Sequence, residues 1–391
     1  MKNTACLKNN FYLMFFKILI NTIYFLQVIF FALFSLLLLF FPIKRSNESV
    51  LIGRETCNLI NNYSYHLGYK SIVMSLNRSN VNQNYWIDLS PLPKFLIYLL
   101  LPFFFAYCIR KFSRFVYFGN AAFFIQKFDG RLIEFRLLKL LKKKITTIFL
   151  GSEIRSISLG KDLADKNNFM HFVKLFQDSK SMELEVKKLC YSADMHADTI
   201  FNNENDQISY FKNPVFQPPY ILTTNTFSIN QSKWTHYEKL NIFHAPSSPL
   251  IKGTQLVSAA IEQLKNEKYD FNYIQVENMP HSQVLDILKT SHICLNEFYA
   301  YIPGIFGLEA LEANCVLLTS ANKFLEPSLF EGADDAWIST HYLDIYKNLR
   351  HLLDNKHLLL DQANKGTLWC KKFYHPNTMR DYIHKQSMTK I

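Results

Sequence analysis

Cysteine occurs in this chain without any of the spacings that would give it a structural role. The seven cysteines are scattered along 391 residues, their number is odd, and no C-x-x-C pair occurs. This pattern disfavours both a disulfide framework and a zinc site, because each needs paired or clustered thiols. We therefore expect reduced and mostly buried thiols.

The chain also lacks a recognisable nucleic-acid-binding module. A formal net charge of +11 would suit a nucleic acid, but the basic residues are not interleaved with aromatic residues in any such pattern. They cluster near apolar stretches instead, at Arg110, Lys111 and Arg114 and at Lys139, Lys142, Lys143 and Lys144. This placement favours an anionic membrane surface as the partner, with a merely solvated basic face as the alternative.

Charge is absent from residues Ile18–Pro42, which are mostly Leu, Ile, Phe and Val. As a helix, 25 such residues span roughly 37 Å, enough to cross a ~30 Å hydrocarbon layer. A cleaved signal peptide has a shorter apolar run of about 7–15 residues and a small-x-small cleavage site, which is missing here. The sequence predicts a single-pass membrane anchor over residues 1–45.

A second apolar stretch, Phe95–Ile109, is only 15 residues long and is interrupted by Pro102. A membrane span usually needs about 20 residues. We expect a helix of the first domain that is buried or dips into the membrane, with a second span as the alternative.

Strand and helix patterns alternate on both sides of a polar, proline-containing hinge at Lys212–Ser232. Such alternation is typical of doubly wound α/β sheets. In the first half we predict strands at Ser49–Ile52, Ser71–Leu76, Phe115–Phe118 and Ile145–Leu150, with helices at Glu55–Leu67 and Leu132–Leu141. In the second we predict strands at Leu240–His244, Phe271–Val276, Ile293–Asn296 and Val316–Thr319, with helices at Gln255–Lys265, Ser282–Lys289 and Leu308–Ala313.

The expected architecture is therefore α/β, with two Rossmann-like domains that face a cleft. The first domain covers residues 46–215 and the second covers residues 216–370. Residues 371–391 form a helical tail that we expect to pack back onto the first domain.

The most informative stretch is Asn241–Ser320, which opens with NIFHAPSSPLIKGT and closes with PGIFGLEALEANCVLLTS. Both segments place a loop at the carboxyl end of a strand, where open α/β sheets hold their ligands. A lysine beside a helix N-terminus suits a diphosphate, and a carboxylate suits ribose hydroxyls. The candidate residues are Lys252, Gly253 and Thr254 in the first loop and Gly304 and Glu309 in the second.

These two segments resemble the carboxyl-terminal half of the GT-B glycosyltransferases, in the large retaining family that uses nucleotide-diphosphate sugars. The resemblance implies that Lys252 binds the diphosphate, that Gly304 is the loop glycine and that Glu309 binds ribose. Asn314 stands where the family prefers glycine, and Tyr301 where many members carry a second acid. Glu312 replaces Glu309 as the functional acid if the loop is aligned differently.

The resemblance further implies that the donor binds to the second domain and the acceptor mainly to the first. Glu277 and Met279 follow a predicted strand near the expected base, and His281 beside them more often begins a helix than acts as an acid–base catalyst. On the acceptor side, Gly53 follows the first strand. Gly151–Arg155 resembles the family's H-G-S-D-I-R with Leu150 in place of histidine, so Glu153 and Arg155 either orient hydroxyl groups or belong to a helix cap and an ion pair.

The implied function is transfer of a sugar from a nucleotide-diphosphate donor, with retention of configuration and without a cofactor. The absence of any D-x-D motif agrees with a metal-independent site. We expect a membrane-bound acceptor, such as a lipid-linked glycan or a lipopolysaccharide or polysaccharide precursor, and cytoplasmic catalytic domains. A non-catalytic binding protein of the same fold and a sugar-nucleotide epimerase, which would not need an anchor, remain the alternatives.

Overall fold

The computed structural model describes residues 2–75, 85–224, 226–227, 229–235 and 237–388, with side chains from Ile18 to Ser387. The last residue of the predicted strand Ser71–Leu76 lies outside these residues. Short 3-10 turns occupy Leu38–Phe40, Phe172–Leu175 and Lys356–Leu358.

The first domain is built on a six-stranded parallel sheet with the strand order β3-β2-β1-β4-β5-β6. The strand order reverses between β1 and β4, where Leu51 aligns with Val116. The strands are β1 (Ser46–Gly53), β2 (Lys70–Val73), β3 (Ile87–Asp88), β4 (Phe112–Phe118), β5 (Lys144–Ile148) and β6 (Thr199–Phe201). The helices are α1 (Lys2–Leu37), α2 (Leu59–Leu67), α3 (Lys94–Lys111), α4 (Gln126–Asp129), α5 (Leu132–Leu140), α6 (Ile157–Lys166) and α7 (Lys180–His196).

The second domain is built on a five-stranded parallel sheet with the strand order β11-β10-β9-β7-β8. This order reverses between β7 and β9. The strands are β7 (Leu240–His244), β8 (Phe271–Gln275), β9 (Ile293–Leu295), β10 (Val316–Thr319) and β11 (Ile338–Ser339). The helices are α8 (Gln231–Thr235), α9 (Pro249–Lys252), α10 (Thr254–Asn266), α11 (His281–Thr290), α12 (Gly304–Glu312), α13 (Ala333–Ala336), α14 (Ile345–Asp354), α15 (Leu359–Tyr374) and α16 (Pro376–Met388).

Helix α3 covers one face of the first sheet, which agrees with the preferred reading of residues 95–109 as a domain helix. Leu101, Phe105 and Cys108 on α3 are fully buried in one core cluster with Phe115 on β4. Among the described residues, only Ile18–Phe40 forms a helix long and apolar enough to cross a membrane.

Helix α1 does not stand apart from the first domain. It packs along α3, and the side-chain amide of Gln27 donates to the Tyr98 carbonyl oxygen at 2.8 Å. The ring centroids of Phe31 and Phe105 lie 5.1 Å apart. The apolar helix is therefore part of the first domain's packing.

The last helix, α16, returns to the first domain. Arg380 of α16 donates to the backbone oxygen of His66, in the last turn of α2. Thr199 of β6 donates to the backbone oxygen of Gln386, also on α16, at 3.4 Å. The expected tail, residues 371–391, takes in the last residues of α15 and all of α16.

Candidate donor site

The candidate donor site lies at the point where the strand order of the second sheet reverses. The loop after β7 carries Lys252, and the loop after the neighbouring strand β9 carries Glu297. Ligands of open α/β sheets bind outside the carboxyl ends of the strands at such a reversal, because the two connections leave in opposite directions and open a crevice.

Lys252 forms an ion pair with Glu297. The Nζ atom of Lys252 donates to Oε1 of Glu297, and the two side chains are 15% and 13% exposed. Lys252 ends the single turn α9, and Gly253 follows with φ of 74°. That left-handed conformation favours glycine, and it lets α10 begin at once.

Gly304 lies against the same carboxylate. Its φ is 59°, and a Cβ atom at this position would stand 2.7 Å from Oε1 of Glu297. The left-handed φ favours glycine here, and any larger residue would also have to displace the Glu297 carboxylate. The Glu297 carboxylate therefore occupies the space between Lys252 and Gly304, which is the space that the sequence predicts for the diphosphate.

Glu309 is buried behind this pair and contacts His281. The Nε2 atom of His281 lies 2.7 Å from Oε1 of Glu309, whose residue is 3% exposed. Burial alone would lower the pKa of His281, but the hydrogen bond and the charge of Glu309 outweigh it and raise the pKa. His281 is also the first residue of α11. It therefore begins a helix and at the same time holds Glu309, the residue predicted to bind ribose.

Glu312 points away from this group. Its Oε1 atom accepts a hydrogen bond from the backbone N–H of Thr226 at 2.7 Å. Burial raises the pKa of Glu312 to about 7. Glu309 thus faces the loops of the site, while Glu312 faces the connector between the domains.

Thr254 begins α10, and its hydroxyl is engaged within the protein. It lies 2.9 Å from Nε2 of His244, whose Nδ1 lies 2.8 Å from the Leu295 carbonyl oxygen. Burial lowers the pKa of His244 to about 4. A neutral imidazole with its proton on Nδ1 fits both contacts, so Thr254 holds the loop in place through His244.

Asn314 adopts a left-handed backbone conformation at the position where the GT-B family that the sequence resembles prefers glycine. Its φ is 60°, and asparagine tolerates this left-handed conformation better than most residues. The side-chain amide also accepts from the indole N–H of Trp234 at 3.0 Å and donates to the Thr367 hydroxyl at 2.9 Å. The departure at Asn314 therefore preserves the turn.

Tyr301 lies at the domain interface and not beside Lys252. Its backbone N–H donates to Oδ1 of Asp206 at 2.9 Å, and its side chain is buried. Nearby, the carboxylate of Glu326 accepts three backbone N–H groups of the first domain, with the shortest bond of 2.7 Å from Asp206. The loop after β9 is thus held by the loop after β6.

The candidates on the acceptor side follow strands of the first sheet, and each contacts a different part of the first domain. A Cβ atom at Gly53 would stand 2.5 Å from Cδ1 of Ile60, so glycine permits α2 to approach β1. Glu153 accepts from the backbone N–H of Leu150 at 2.8 Å. Arg155 is engaged elsewhere, since its Nη2 donates to Oδ2 of Asp206 at 2.9 Å.

The remaining candidates, Glu277 and Met279, follow β8. Glu277 is exposed and accepts from Gln275 at 3.3 Å, while Met279 is half-buried. The loop that carries them continues into His281 and so reaches Glu309. Within the described part of the chain, no group of three or more His, Cys, Asp or Glu side chains is placed to hold a metal ion.

The first domain approaches this site through the loop between β1 and α2. Cys57 lies within electrostatic reach of Lys252, Glu297 and Glu309. The same loop carries Glu55, whose carboxylate accepts from the backbone N–H of Ile60 and Asn61 and caps α2. The two sheet edges therefore face one cleft.

Comparison with solved structures identifies this architecture. Sucrose-phosphate synthase of Thermosynechococcus elongatus matches with a TM-score of 0.55 at 10% identity, over 87% of this chain and 98% of that one. HepE of Anabaena, solved with UDP, matches with a TM-score of 0.52 at 9% identity, over 86% and 98%. The chain has the GT-B fold.

A third GT-B structure, WaaG, a glycosyltransferase involved in lipopolysaccharide biosynthesis, matches with a TM-score of 0.50 at 11% identity, over 87% of this chain and all of that one. No protein-family model and no curated protein sequence matches the chain. The GT-B likeness is thus carried by the fold, which agrees with the two Rossmann-like domains expected from the sequence.

Sequence reasoning missed Glu297, Asp206 and Glu326. Glu297 stands only one residue beyond the predicted strand Ile293–Asn296, so a carboxylate at a strand end was a signal that could have been used. Asp206 and Glu326 carry no such signal, because the partners that join them to the other domain lie 95 to 122 residues away along the chain.

Proposed function

We propose that the chain is a glycosyltransferase that moves a sugar from a nucleotide-diphosphate donor to a membrane-associated acceptor. The observation that carries this proposal is the arrangement of Lys252, Glu297 and Gly304 at the strand-order reversal of the second sheet, with Glu309 behind it. The Glu297 carboxylate already lies beside Lys252 there. The loop between β1 and α2 of the first domain approaches the same site from the other side of the cleft.

The chemical problem in such a transfer is the leaving diphosphate, which gains negative charge as the glycosidic bond breaks. Lys252 is the cation placed to stabilise that charge, an effect often worth several kcal/mol in a site that excludes water. Glu309, held by His281, is placed to accept hydrogen bonds from ribose hydroxyls. Transfer with retention of configuration and without a metal ion is part of the proposal through the resemblance to the retaining family.

Two observations support a membrane-associated acceptor. The apolar helix α1 is fixed to the first domain, which would bind the acceptor, so this domain is held at the membrane if α1 contacts lipid. Confinement of enzyme and acceptor to one surface raises their effective concentration. Among the similar folds, WaaG acts in lipopolysaccharide biosynthesis. Nucleotide sugars are cytoplasmic in bacteria, so the proposal places both domains on that side.

The proposal is tested by a donor screen followed by a transfer assay. A ligand at 100 times its Kd should stabilise the protein by about 2.7 kcal/mol, which a thermal-shift screen of nucleotide sugars detects. The best donor is then incubated with full-length protein and either lipid extract or soluble extract of its host. Labelled sugar in the lipid fraction supports the proposal, whereas label confined to the soluble fraction rejects a lipid acceptor. Conversion of the donor into an isomeric nucleotide sugar without any acceptor would indicate an epimerase.

Glu309→Gln is expected to weaken donor binding by about tenfold or more, because a hydrogen bond to a charged group contributes ~1.5–3 kcal/mol. Glu312→Gln serves as the matched control and should leave donor affinity nearly unchanged, since Glu312 faces Thr226. The Kd for the donor, measured by calorimetry, decides between them. A larger loss in the Glu312 variant would reassign the ribose contact.

Glu297→Gln is expected to tighten the binding of UDP by about tenfold, or about 1.4 kcal/mol. In the free protein, the Glu297 carboxylate competes with a diphosphate for Lys252 and repels it. Glutamine keeps the shape and removes the charge. Glu262→Gln on the exposed side of α10 is the control. Weaker UDP binding in the Glu297 variant would show that this carboxylate contacts the nucleotide favourably.

A further inference from the structure

Helix α1 has two apolar faces that differ in what they contact. The inner face packs on the first domain, where Tyr24 and Gln27 are each 1% exposed, and Leu38 in the 3-10 turn that follows is 6% exposed. The outer face is a stripe of large side chains one helical turn apart, 55–60% exposed: Phe25, Ile29, Leu33 and Leu36. The stripe continues to Phe40, 83% exposed, in the 3-10 turn that follows α1. A contiguous exposed apolar stripe of this kind marks a surface that contacts a partner or a membrane.

The inner face carries polar groups that are matched by the domain. Gln27 donates to the Tyr98 carbonyl oxygen and accepts from the Ile125 N–H, both at 2.8 Å. The Tyr24 hydroxyl donates to Asp129 at 3.0 Å. In hydrocarbon these groups would lose their partners, which is costly for a buried amide. Tyr24 and Gln27 therefore belong to a helix that stays on the protein.

These contacts also conflict with a helix that crosses the bilayer. They extend from Tyr24 to Phe34, whose ring lies 5.2 Å from that of Phe103, and cover about 15 Å of helix. That length is about half of a ~30 Å hydrocarbon layer. If Ile18–Phe40 crossed the layer in this state, α3 and Asp129 would be drawn into the hydrocarbon with it.

We propose that α1 lies along the membrane interface and does not cross the bilayer. Its outer stripe enters the acyl region of one leaflet, its inner stripe stays on α3, and both of its ends remain on the side of the first domain. This arrangement replaces the single-pass anchor expected from the sequence. It deepens the membrane association in the proposed function and does not depend on sugar transfer.

Anionic lipid is the occupant that the charges favour. Phe95 and Leu99 on α3, 63% and 44% exposed, extend the apolar surface. Lys44 and Arg45 are exposed just beyond α1, and the charge of Arg45 reaches Lys143 beside the start of β4. Such a basic rim attracts anionic headgroups. A second copy of the chain would bring a rim of the same sign, which opposes pairing.

The topology is tested on the full-length protein in sealed membrane vesicles of known orientation. A membrane-impermeant maleimide is added to the Cys57→Ser variant, in which Cys6 on α1 is the thiol of interest, and to the Cys6→Ser variant, which retains the exposed Cys57. When the maleimide is present only on the side of the membrane opposite to Cys57, we expect Cys6 not to react. Reaction of Cys6 on the same side as Cys57 is compatible with the proposal but is not required by it. Labelling of Cys6 from the opposite face would overturn the proposal.

Two sets of substitutions test the two faces of α1 separately. Gln27→Leu should lower the unfolding temperature, because the Ile125 N–H and the Tyr98 carbonyl lose their partner; a helix that crosses the bilayer would be unaffected or improved. Ile29→Glu with Leu33→Glu should keep the unfolding temperature and reduce flotation with vesicles of phosphatidylcholine and phosphatidylglycerol at least about tenfold, or about 1.4 kcal/mol. Unchanged flotation of that variant, or dimers in place of vesicle binding by the parent, would reject the lipid-facing stripe.

Discussion

Replacing Lys252 by alanine is expected to lower turnover about 100-fold, which corresponds to roughly 2.7 kcal/mol of transition-state stabilisation. Lys252 is the cation at the strand-order reversal, and its side chain contacts the Glu297 carboxylate and not the core. The substitution should therefore remove charge stabilisation from the leaving diphosphate while the fold stays intact. Single-turnover kinetics with saturating donor measure the loss, and thermal unfolding checks the fold.

Lys265→Ala is the matched control for this experiment, because Lys265 is exposed in the last turn of α10, the helix that begins two residues after Lys252. Its turnover should equal that of the parent. Activity of the Lys252 variant within about threefold of the parent, or 0.65 kcal/mol on the scale of ~1.4 kcal/mol per tenfold, would remove Lys252 from the diphosphate role.

Replacing Asp206 by alanine is expected to cost about 3–5 kcal/mol of folding free energy, because it leaves the Arg155 guanidinium, whose side chain is only 10% exposed, without its carboxylate. The Asp206 side chain is 2% exposed and accepts from Arg155 and from the Tyr301 backbone, both at 2.9 Å. The midpoint of chemical denaturation measures the loss. Asp270→Ala is the control, since its pair with Lys239 is exposed and should contribute less than about 1 kcal/mol.

The Asp206 prediction also has a pH dependence of definite sign. Burial alone would raise the pKa of Asp206, but the hydrogen bond from His171 and the charge of Arg155 hold it well below its usual range. A depressed native pKa contributes stability above the unfolded value near ~3.9, and this contribution is lost as the pH falls. The difference between parent and variant should therefore shrink in acid. An equal loss in the Asp206 and Asp270 variants would contradict the role of the buried pair.

Four of the five strands in the second sheet could be predicted from the sequence, because each is a short apolar run bounded by polar or glycine-containing loops; the two-residue strand β11 was not predicted. The predicted strand Leu240–His244 coincides with β7, and Val316–Thr319 coincides with β10. Lys252 and Glu309 could be chosen as candidate site residues because each follows such a strand and matches a motif of the resembling family. The pairing of Lys252 with Glu297 could not be predicted from the sequence, because the two residues are 45 positions apart along the chain.

The first domain was harder to predict, for two physical reasons. The strand β3 has only two residues, too few for a hydrophobic period to show. The docking of α1 on α3 depends on Gln27, a polar side chain that looks like an ordinary interruption of an apolar run until its two backbone partners are known. Single-sequence patterns do not encode such distant hydrogen bonds.

The return of α16 to the first domain bears on how the protein is assembled during synthesis. The first sheet is translated early, but the surface beside His66 and β6 is covered only by the last helix. That surface stays open until α16 has been synthesised and has left the ribosome, so the first domain reaches its final form after the second has been made. A protease cut in the connector before β7 should likewise leave both fragments bound to each other, because α16 belongs to one fragment by sequence and to the other by contact.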